Sequence, residues 1–485
     1  MGGPMFYPRG AARVKSIKTM LSESDDIIIQ SMMAGDAKPM TYELIFCMGM
    51  VDPRSVQDFL LPQMEKLAEW WSKRSRKELA PSHKVEERFE SKLITQIDPT
   101  SYEEEKQMFA SIFSGNVLIV LEEDLLFMFD AADQPSRQPE ESTMELSLRG
   151  PRDGFVEKIS INLALIRGRL KSTDLHCEFR TIGYESMTRV ALLYLSGKAD
   201  PGLIQLAKNR LDRLNINALQ NSSELEELLS DRKNSLFPLM DYTGRPDYTV
   251  QSLLNGRIAI VVDGSPSVIM APTSLFRVIK SPEDAHLPFY YVSLERFLRL
   301  IGVGVSMCLP GFWVSLSAYN TDQLPFTLLS TVALSRQGLP LSASAEMFMM
   351  LFMFELFREA GVRLPRAVGQ TVTVVGGLIV GDAAIRAGLT SPTMLVVAAI
   401  TAVSSFTLVN QTINGSVSIV RLLILLLSSV LGLFGFFVGS LATLVYLCSL
   451  KSFGYSYMSP LAPFSFKKLV PGLLQNPWYK RLRRR

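Results

Sequence analysis

The sequence predicts an α/β N-terminal soluble region of two similar subdomains, followed by an α-helical multi-span membrane domain. Three observations carry that reading. The first is charge. Of 50 Lys+Arg and 47 Asp+Glu, residues 300–485 hold 14 and 5, leaving 36 and 42 for residues 1–299. The first part is therefore net −6 and the second +9. Its charge density matches the roughly 25% of a soluble domain, and the second part falls far below it. The second observation is a strand–helix order that recurs 148 residues on. The third is a set of uncharged stretches near the length of about 20 residues that crosses a bilayer. Together these exclude a purely cytosolic or secreted globular protein. A length of 485 residues suits two to four domains, drawn here as residues 1–145, 146–290 and 291–455, with a basic tail at 456–485.

The soluble elements follow in order. The first sixteen residues hold no apolar run of the signal-peptide type, so the soluble region is expected in the cytoplasm. Residues 14–21 and 162–169 are matching amphipathic stretches. Residues 40–48 (MTYELIFCM) read as a strand and 53–67 as a helix; 188–195 (TRVALLYL) and 201–214 repeat the order. Gly49 aligns with Gly197, and Asp52-Pro53 with Asp200-Pro201. Asp at a cap followed by Pro in the first turn marks a helix start. Two hairpins complete the plan: 116–120 with 125–129, and 257–262 with 267–270 around Asp263-Gly264. Residues 130–142, polar and Pro-bearing, read as a linker.

Beyond residue 300 come the apolar segments. Residues 300–320 are uncharged; 323–335 are uncharged but short; 367–381 lie between Arg366 and Asp382. Residues 392–409 are the best span of the stretch 387–420, and 422–450 suit one tilted helix or a tight hairpin broken at glycines. Four to six crossings are expected. Arg296 and Arg299, then Arg358, Arg363 and Arg366, then the final Lys and Arg residues all favour the cytoplasmic side. That requires an even count, whereas the simplest count is five: either 323–335 fails to cross or 422–450 crosses twice. Residues 343–357, rich in Met and Phe with Glu346 and Glu355, suit an interfacial helix, a partner contact or a buried helix of the bundle.

Common nucleotide, zinc and hydrolase signatures are missing, and His83, His176 and His286 are scattered. Four cysteines without CxxC spacing give no zinc site or disulfide framework. No enzyme activity, cofactor or metal is expected. The basic end (KRLRRR) suits topology and anionic lipid better than nucleic acid. What chemistry there is lies in polar and small residues. Ser428, Gly432, Gly435 and Gly439 fall on one helical face and suit close helix packing. Gln370 and Thr373 sit near Asp382, and Thr401, Ser404 and Ser405 follow. These six either bond within the bundle or line a hydrated path once several copies assemble. Asp382 stands four before Arg386, a spacing that allows a pair. Glu355 stands three before Arg358, whereas Glu346 has no helical partner. In residues 150–155, Gly and Pro hold Arg152 and Asp153 in a tight loop, and Glu157, Arg167 and Arg169 follow on an apparent helix. These five read as a polar junction between subdomains or subunits, with a phosphate site as the alternative.

From about residue 16 to its end the chain resembles the GerA family, the A subunits of spore germinant receptors. The resemblance is carried by 149–155 (RGPRDGF), 245–247 (RPD), 256–272 (GRIAIVVDGSPSVIMAP), 354–366 (FELFREAGVRLPR), 375–388, 447–452 and 459–463 (SPLAP). It departs from the family at Arg167-Gly168-Arg169, at 283–291 and at Asn410-Gln411-Thr412. The resemblance implies an inner spore membrane protein with a core-facing soluble region. It also implies a transporter-like B subunit and a lipoprotein C subunit as partners, and self-assembly into a nutrient-gated, cation-releasing channel. A non-conducting scaffold docking those partners is the alternative, as is a germination-amplifying channel of the same family that does not sense nutrients. A stand-alone transporter would not need so large a soluble region.

Overall fold

In the computed structural model, residues 11–35, 39–72, 93–99, 101–121, 125–133, 149–363, 381–408, 410–466, 470, 472 and 474–475 are described. They form two compact units. The first comprises residues 1–233 and 240–272; the second comprises 234–239 and 273–485.

The first unit holds two five-stranded sheets. Strands β1 (Ile27–Ala34), β2 (Met40–Cys47), β3 (Ile94–Ile97), β4 (Val117–Leu121) and β5 (Leu125–Phe129) stand in the order β1-β2-β4-β5-β3. Strands β6 (Leu175–Ile182), β7 (Thr188–Leu195), β8 (Asp241–Thr243), β9 (Ile258–Val262) and β10 (Val268–Ala271) take the same order, β6-β7-β9-β10-β8. Every pairing is antiparallel. The expected alternation of helix and strand is present, but among the described residues no strands pair in parallel, because neighbouring strands are joined by hairpins or return in the opposite sense.

The repeat is visible element by element. The Ala11–Ser22 and Ile159–Arg169 helices begin 148 residues apart, as do β1 and β6, and β2 and β7. After β2 and β7 the chain turns at Gly49 (φ 74°) and Gly197 (φ 75°), a left-handed conformation that favours glycine. Asp52 then accepts from the Arg54 and Ser55 amides at 3.0 Å each, and Asp200 from the Gly202 amide at 3.0 Å. These are the caps that the Asp-Pro pairs promised. The central strand β4 (VLIVL) is buried at every position, since helices cover both sheet faces. Val117, Ile119 and Leu121 meet Leu60, Met64 and Leu67 on one side. Leu118 and Val120 meet Ile17, Leu21, Phe109 and Ile112 on the other, as period-two alternation requires.

The second unit is helical. Phe289–Val314 continues through a π-helical turn to Tyr319. Phe326–Ser335, Ala343–Arg363, Pro392–Phe406 and the run Gln411–Ser449 follow. Phe289–Tyr319 and Thr412–Ser449 are long and apolar enough to cross a membrane, by length and composition. The ten residues of Phe326–Ser335 rise only about 15 Å, half of a hydrocarbon core of about 30 Å.

The run Gln411–Ser449 is two helices. Gly432 has φ 62° and ψ −142°, which no helix contains. Beyond it, Gly435 lies against the Leu427 carbonyl and Gly439 against Ile424 and Leu427. The chain has therefore folded back, with 433–449 antiparallel to 411–431. Of the two expected alternatives for 422–450 the hairpin is the one formed, with its first arm beginning at 411 rather than 422. The expected single face of Ser428, Gly432, Gly435 and Gly439 does not exist, because Gly432 is the turn and the others sit on opposite arms. The Met-rich helix belongs to the interior: Ala343, Met347, Met350 and Leu351 pack with Val314, Met394, Ala398 and Leu425.

Candidate functional site

Two sets of polar residues stand out, one in each unit. In the first unit, Arg167 on the Ile159–Arg169 helix is fully buried. Its Nε donates to Asp26 Oδ2 at 2.6 Å and its Nη2 to Asp26 Oδ1 at 2.7 Å. Nη2 also donates to Ser24 Oγ at 2.8 Å, and Nη1 to the Ser172 carbonyl at 3.1 Å. The Phe113 ring lies 4.8 Å from the guanidinium carbon. Ser24 Oγ donates to Asp26 Oδ1 at 2.6 Å. Burial raises the Asp26 carboxyl, but the charge and hydrogen bonds of Arg167, helped by Ser24, outweigh it and hold Asp26 below 3.8. Burial, then the charge of Asp26, pushes the neighbouring Cys47 thiol up to about 12. The thiol is held protonated and unreactive.

This bidentate pair joins the repeats. The loop carrying Ser24 and Asp26 also lies along the β6 edge. The Asp25 amide donates to the Cys177 carbonyl at 2.8 Å, the Cys177 amide to Ser24 Oγ at 2.9 Å, and the Phe179 amide to Asp25 Oδ2 at 2.7 Å. Of the five expected junction residues, Arg167 reaches the other repeat. Asp153 binds Arg169 at 2.5 Å within the second repeat, and Arg152 lies on the surface. Glu157 precedes the helix instead of lying on it, since the helix starts at Ile159; its carbonyl accepts from the Gly264 amide at 2.7 Å. The loop itself is pinned by the Phe155 amide on the Gly244 carbonyl at 2.8 Å and by Asn162 on Val156. Asp26 was missed in the sequence. A lone Arg in the apolar stretch LALIR was the signal that a buried acid must exist.

In the second unit, Thr401 is buried, and its hydroxyl donates to the Val397 carbonyl at 2.8 Å. Ser405, also buried, donates to the Ala402 carbonyl at 2.6 Å. Ser404 is half-buried, and its carbonyl lies close to Gly302 where the Phe289–Val314 helix crosses. The Thr401 and Ser405 hydroxyls thus bond within their own helix. Asp382 and Arg386 form an exposed i,i+4 pair at 2.8 Å. Gln370 and Thr373 lie outside the described residues. Buried Ser428 sits where Gly311 brings the Phe289–Val314 helix close, 2.7 Å from a Cβ placed there. Small residues permit that approach.

Two carboxylates prove more deeply engaged. Glu346 is fully buried, and its Oε2 accepts from the Ser391 amide and hydroxyl at 3.1 Å each. The carboxylate therefore faces the N-terminus of the Pro392–Phe406 helix, where a negative charge is favoured. Its other oxygen stands 3.4 Å from Arg336, the distant partner that helical spacing could not supply. Glu355 pairs with Arg358 and, at 3.2 Å, with Arg421. Arg421 is buried in the middle of 411–431, and Ser418 Oγ accepts from it and from Arg358 at 3.3 Å each. Arg421 had served only as the boundary between two uncharged stretches.

A duplicated antiparallel head is joined to a second unit of helices, two of them long and apolar enough to cross a membrane by length and composition. Residues 15–485 match the family described as Bacillus/Clostridium GerA spore germination protein. Spore germination protein XA of Bacillus anthracis is 43% identical over 375 residues, 77% of this chain and 76% of that protein. Spore germination protein KA of Bacillus subtilis (strain 168) is 32% identical over 478 residues, 98% of this chain and 86% of that protein. The crystal structure of the N-terminal domain of the A subunit of the Bacillus megaterium spore germinant receptor GerK3 is 26% identical, with a TM-score of 0.39, covering 54% of this chain and 93% of that one. The chain belongs to the GerA spore germination protein family.

Proposed function

We propose that this chain is the A subunit of a nutrient-sensing germinant receptor in the inner spore membrane. It acts there with a transporter-like B subunit and a lipoprotein C subunit. Copies of the chain assemble, and their helical units enclose a nutrient-gated ion path whose opening releases cations. The observation that carries the membrane part is the hairpin's outer surface. Leu423, Leu426, Val430, Phe434, Phe437 and Leu441 are all exposed on 411–449. An apolar face of that extent needs lipid or protein to cover it. Single-channel recording on the reconstituted complex tests the reading: nutrient should evoke current, and its absence with folded protein present removes the channel.

One observation favours the non-conducting scaffold. Thr401 and Ser405 are sealed inside the chain with their hydroxyls bonded to their own helix. A path would then have to run along other residues, among which half-buried Ser404 is one. Under either reading Gly435→Leu should cut protein level or nutrient-triggered germination, because its side chain would meet the Leu427 carbonyl.

A further inference from the structure

The two repeats of the head are built alike but are not covered alike. A Cβ at Gly49 would stand 2.6 Å from the Ser160 carbonyl, because the Ile159–Arg169 helix docks there. At the counterpart Gly197 nothing lies within 4 Å. Ser24 and Asp26 hold Arg167. Their counterparts Ser172 and Asp174 form the same local turn, with Ser172 Oγ donating to Asp174 Oδ2 at 3.3 Å, but Asp174 is exposed. Phe113, buried under Arg167, corresponds to Leu254 through the matching turns at Gly115 and Gly256, and Leu254 is 41% exposed. Among the described residues, the second repeat thus presents the docking face of the first without a helix on it.

The complementary surface is open at the other end. The Ala11–Ser22 helix is the counterpart of the docked helix. It exposes Ser16, Thr19 and Met20 where Ala164, Arg167 and Gly168 make the internal junction. Strand β1 is the counterpart of β6. Among the described residues, no loop bonds its outer edge at Ile29 and Ser31 as residues 24–25 bond β6 at Cys177 and Phe179.

We infer that a second copy of this chain occupies the vacant face. The Ala11–Ser22 helix and β1 edge of one copy dock head to tail on the Ser172–Asp174 loop, the Gly197 turn and Leu254 of the next. The inference rests on the self-assembly proposed above and specifies its surface. The internal junction is the template that says what covers the face. Thr19 stands where Arg167 stands in that template, and Lys15, exposed one turn earlier on the same helical face, offers the cation to Asp174. The contact uses different patches on the two partners, so repetition closes a ring or extends a filament.

The test is site-directed crosslinking of the full chain in membranes. Thr19→Cys is placed in one chain and Asp174→Cys in another, with Cys308 and Cys448 replaced by Ser; Cys47 and Cys177 are buried. A short bismaleimide should give dimers when both chains are present and none with either alone. Adding Leu254→Arg should lower the yield about tenfold, the equivalent of about 1.4 kcal/mol. Crosslinking of a single variant with itself overturns the head-to-tail contact. So does absence of the mixed product while sedimentation shows an oligomer, or a yield indifferent to Leu254→Arg. A strictly monomeric chain overturns this contact and the self-assembly together.

Discussion

The head and the helical unit each bury arginine, and they do so differently. In the head, one guanidinium meets one carboxylate in a bidentate fork, with Ser24 bonded to both. In the helical unit two guanidiniums, Arg358 and Arg421, share Glu355, and the Arg421 Nε is buried without a hydrogen-bond acceptor. The head junction is balanced, while the helical group carries one positive charge in excess. A balanced pair fixes a single arrangement. An unbalanced one has a donor in reserve that an incoming acceptor could satisfy. The difference teaches that the Arg167 junction is built to stay assembled and that the Glu355 group is where a change of partners costs least.

The largest expected effect tests the balanced side. Arg167→Ala leaves Asp26 buried without its counter-charge, and should destabilise the head by about 3–5 kcal/mol, read as a fall in the denaturation midpoint of the full chain. A double variant, Asp26→Leu with Arg167→Met, should recover most of that loss; failure to recover would mean that packing against Phe113, not charge, makes the junction. The sign with pH is set by Asp26, whose folded value lies below 3.8. Its stabilisation is fully present above 3.8 and is lost as pH falls through the folded value. A wild-type head that weakened on moving from neutral to alkaline pH through this pair would contradict it.

The next test sharpens the unbalanced side. Glu355→Gln leaves two guanidiniums facing each other and should cost about 2–3 kcal/mol. Arg421→Gln leaves a neutral Glu355–Arg358 pair and should cost under about 1 kcal/mol. Thermal unfolding of the two variants in one detergent decides the ranking, and a reversed order would erase the asymmetry. Ser418→Ala removes the hydroxyl that both arginines use, with an expected cost of about 1 kcal/mol.

A further test lies at an exception within the head. Burial, then the charge of Asp241, raises the Glu226 carboxyl to about 7. A raised carboxylate favours the fold while protonated, so its contribution is present below 4.5 and is lost as pH rises through about 7. The unfolding temperature of Glu226→Gln should therefore change less between mildly acidic and mildly alkaline buffer than that of the parent. Equal slopes would remove Glu226 from the account.

Much of this architecture was legible in the sequence, for physical reasons. Helix caps and hairpin turns are local chemistry, so Asp52-Pro53, Asp200-Pro201 and Asp263-Gly264 marked their elements, and the 148-residue offset tied the repeats together. The buried partners were not local. Asp26 stands 141 residues from Arg167, and Glu355 stands 66 from Arg421. Composition does not say which of many acids is buried. Arg421 misled because a charge in an apolar run looks like an end, whereas a distant carboxylate lets it sit mid-helix. Gly432 misled because spacing records which residues are small and not the sign of φ. Thr401, Ser404 and Ser405 were visible as hydroxyls, but the direction each takes depends on the helices packed around it.

The fold-back at Gly432 has a mechanical consequence. A turn of one residue has no slack, so 411–431 and 433–449 cannot slip past each other by a helical turn of about 5.4 Å. Tyr319 donates to the Ser429 carbonyl and Asn320 accepts from the Leu433 amide at 3.4 Å, so the end of the Phe289–Tyr319 helix is latched to the apex. A push delivered along that first helix would reach the two arms as a common tilt, a lever with its fulcrum at one glycine.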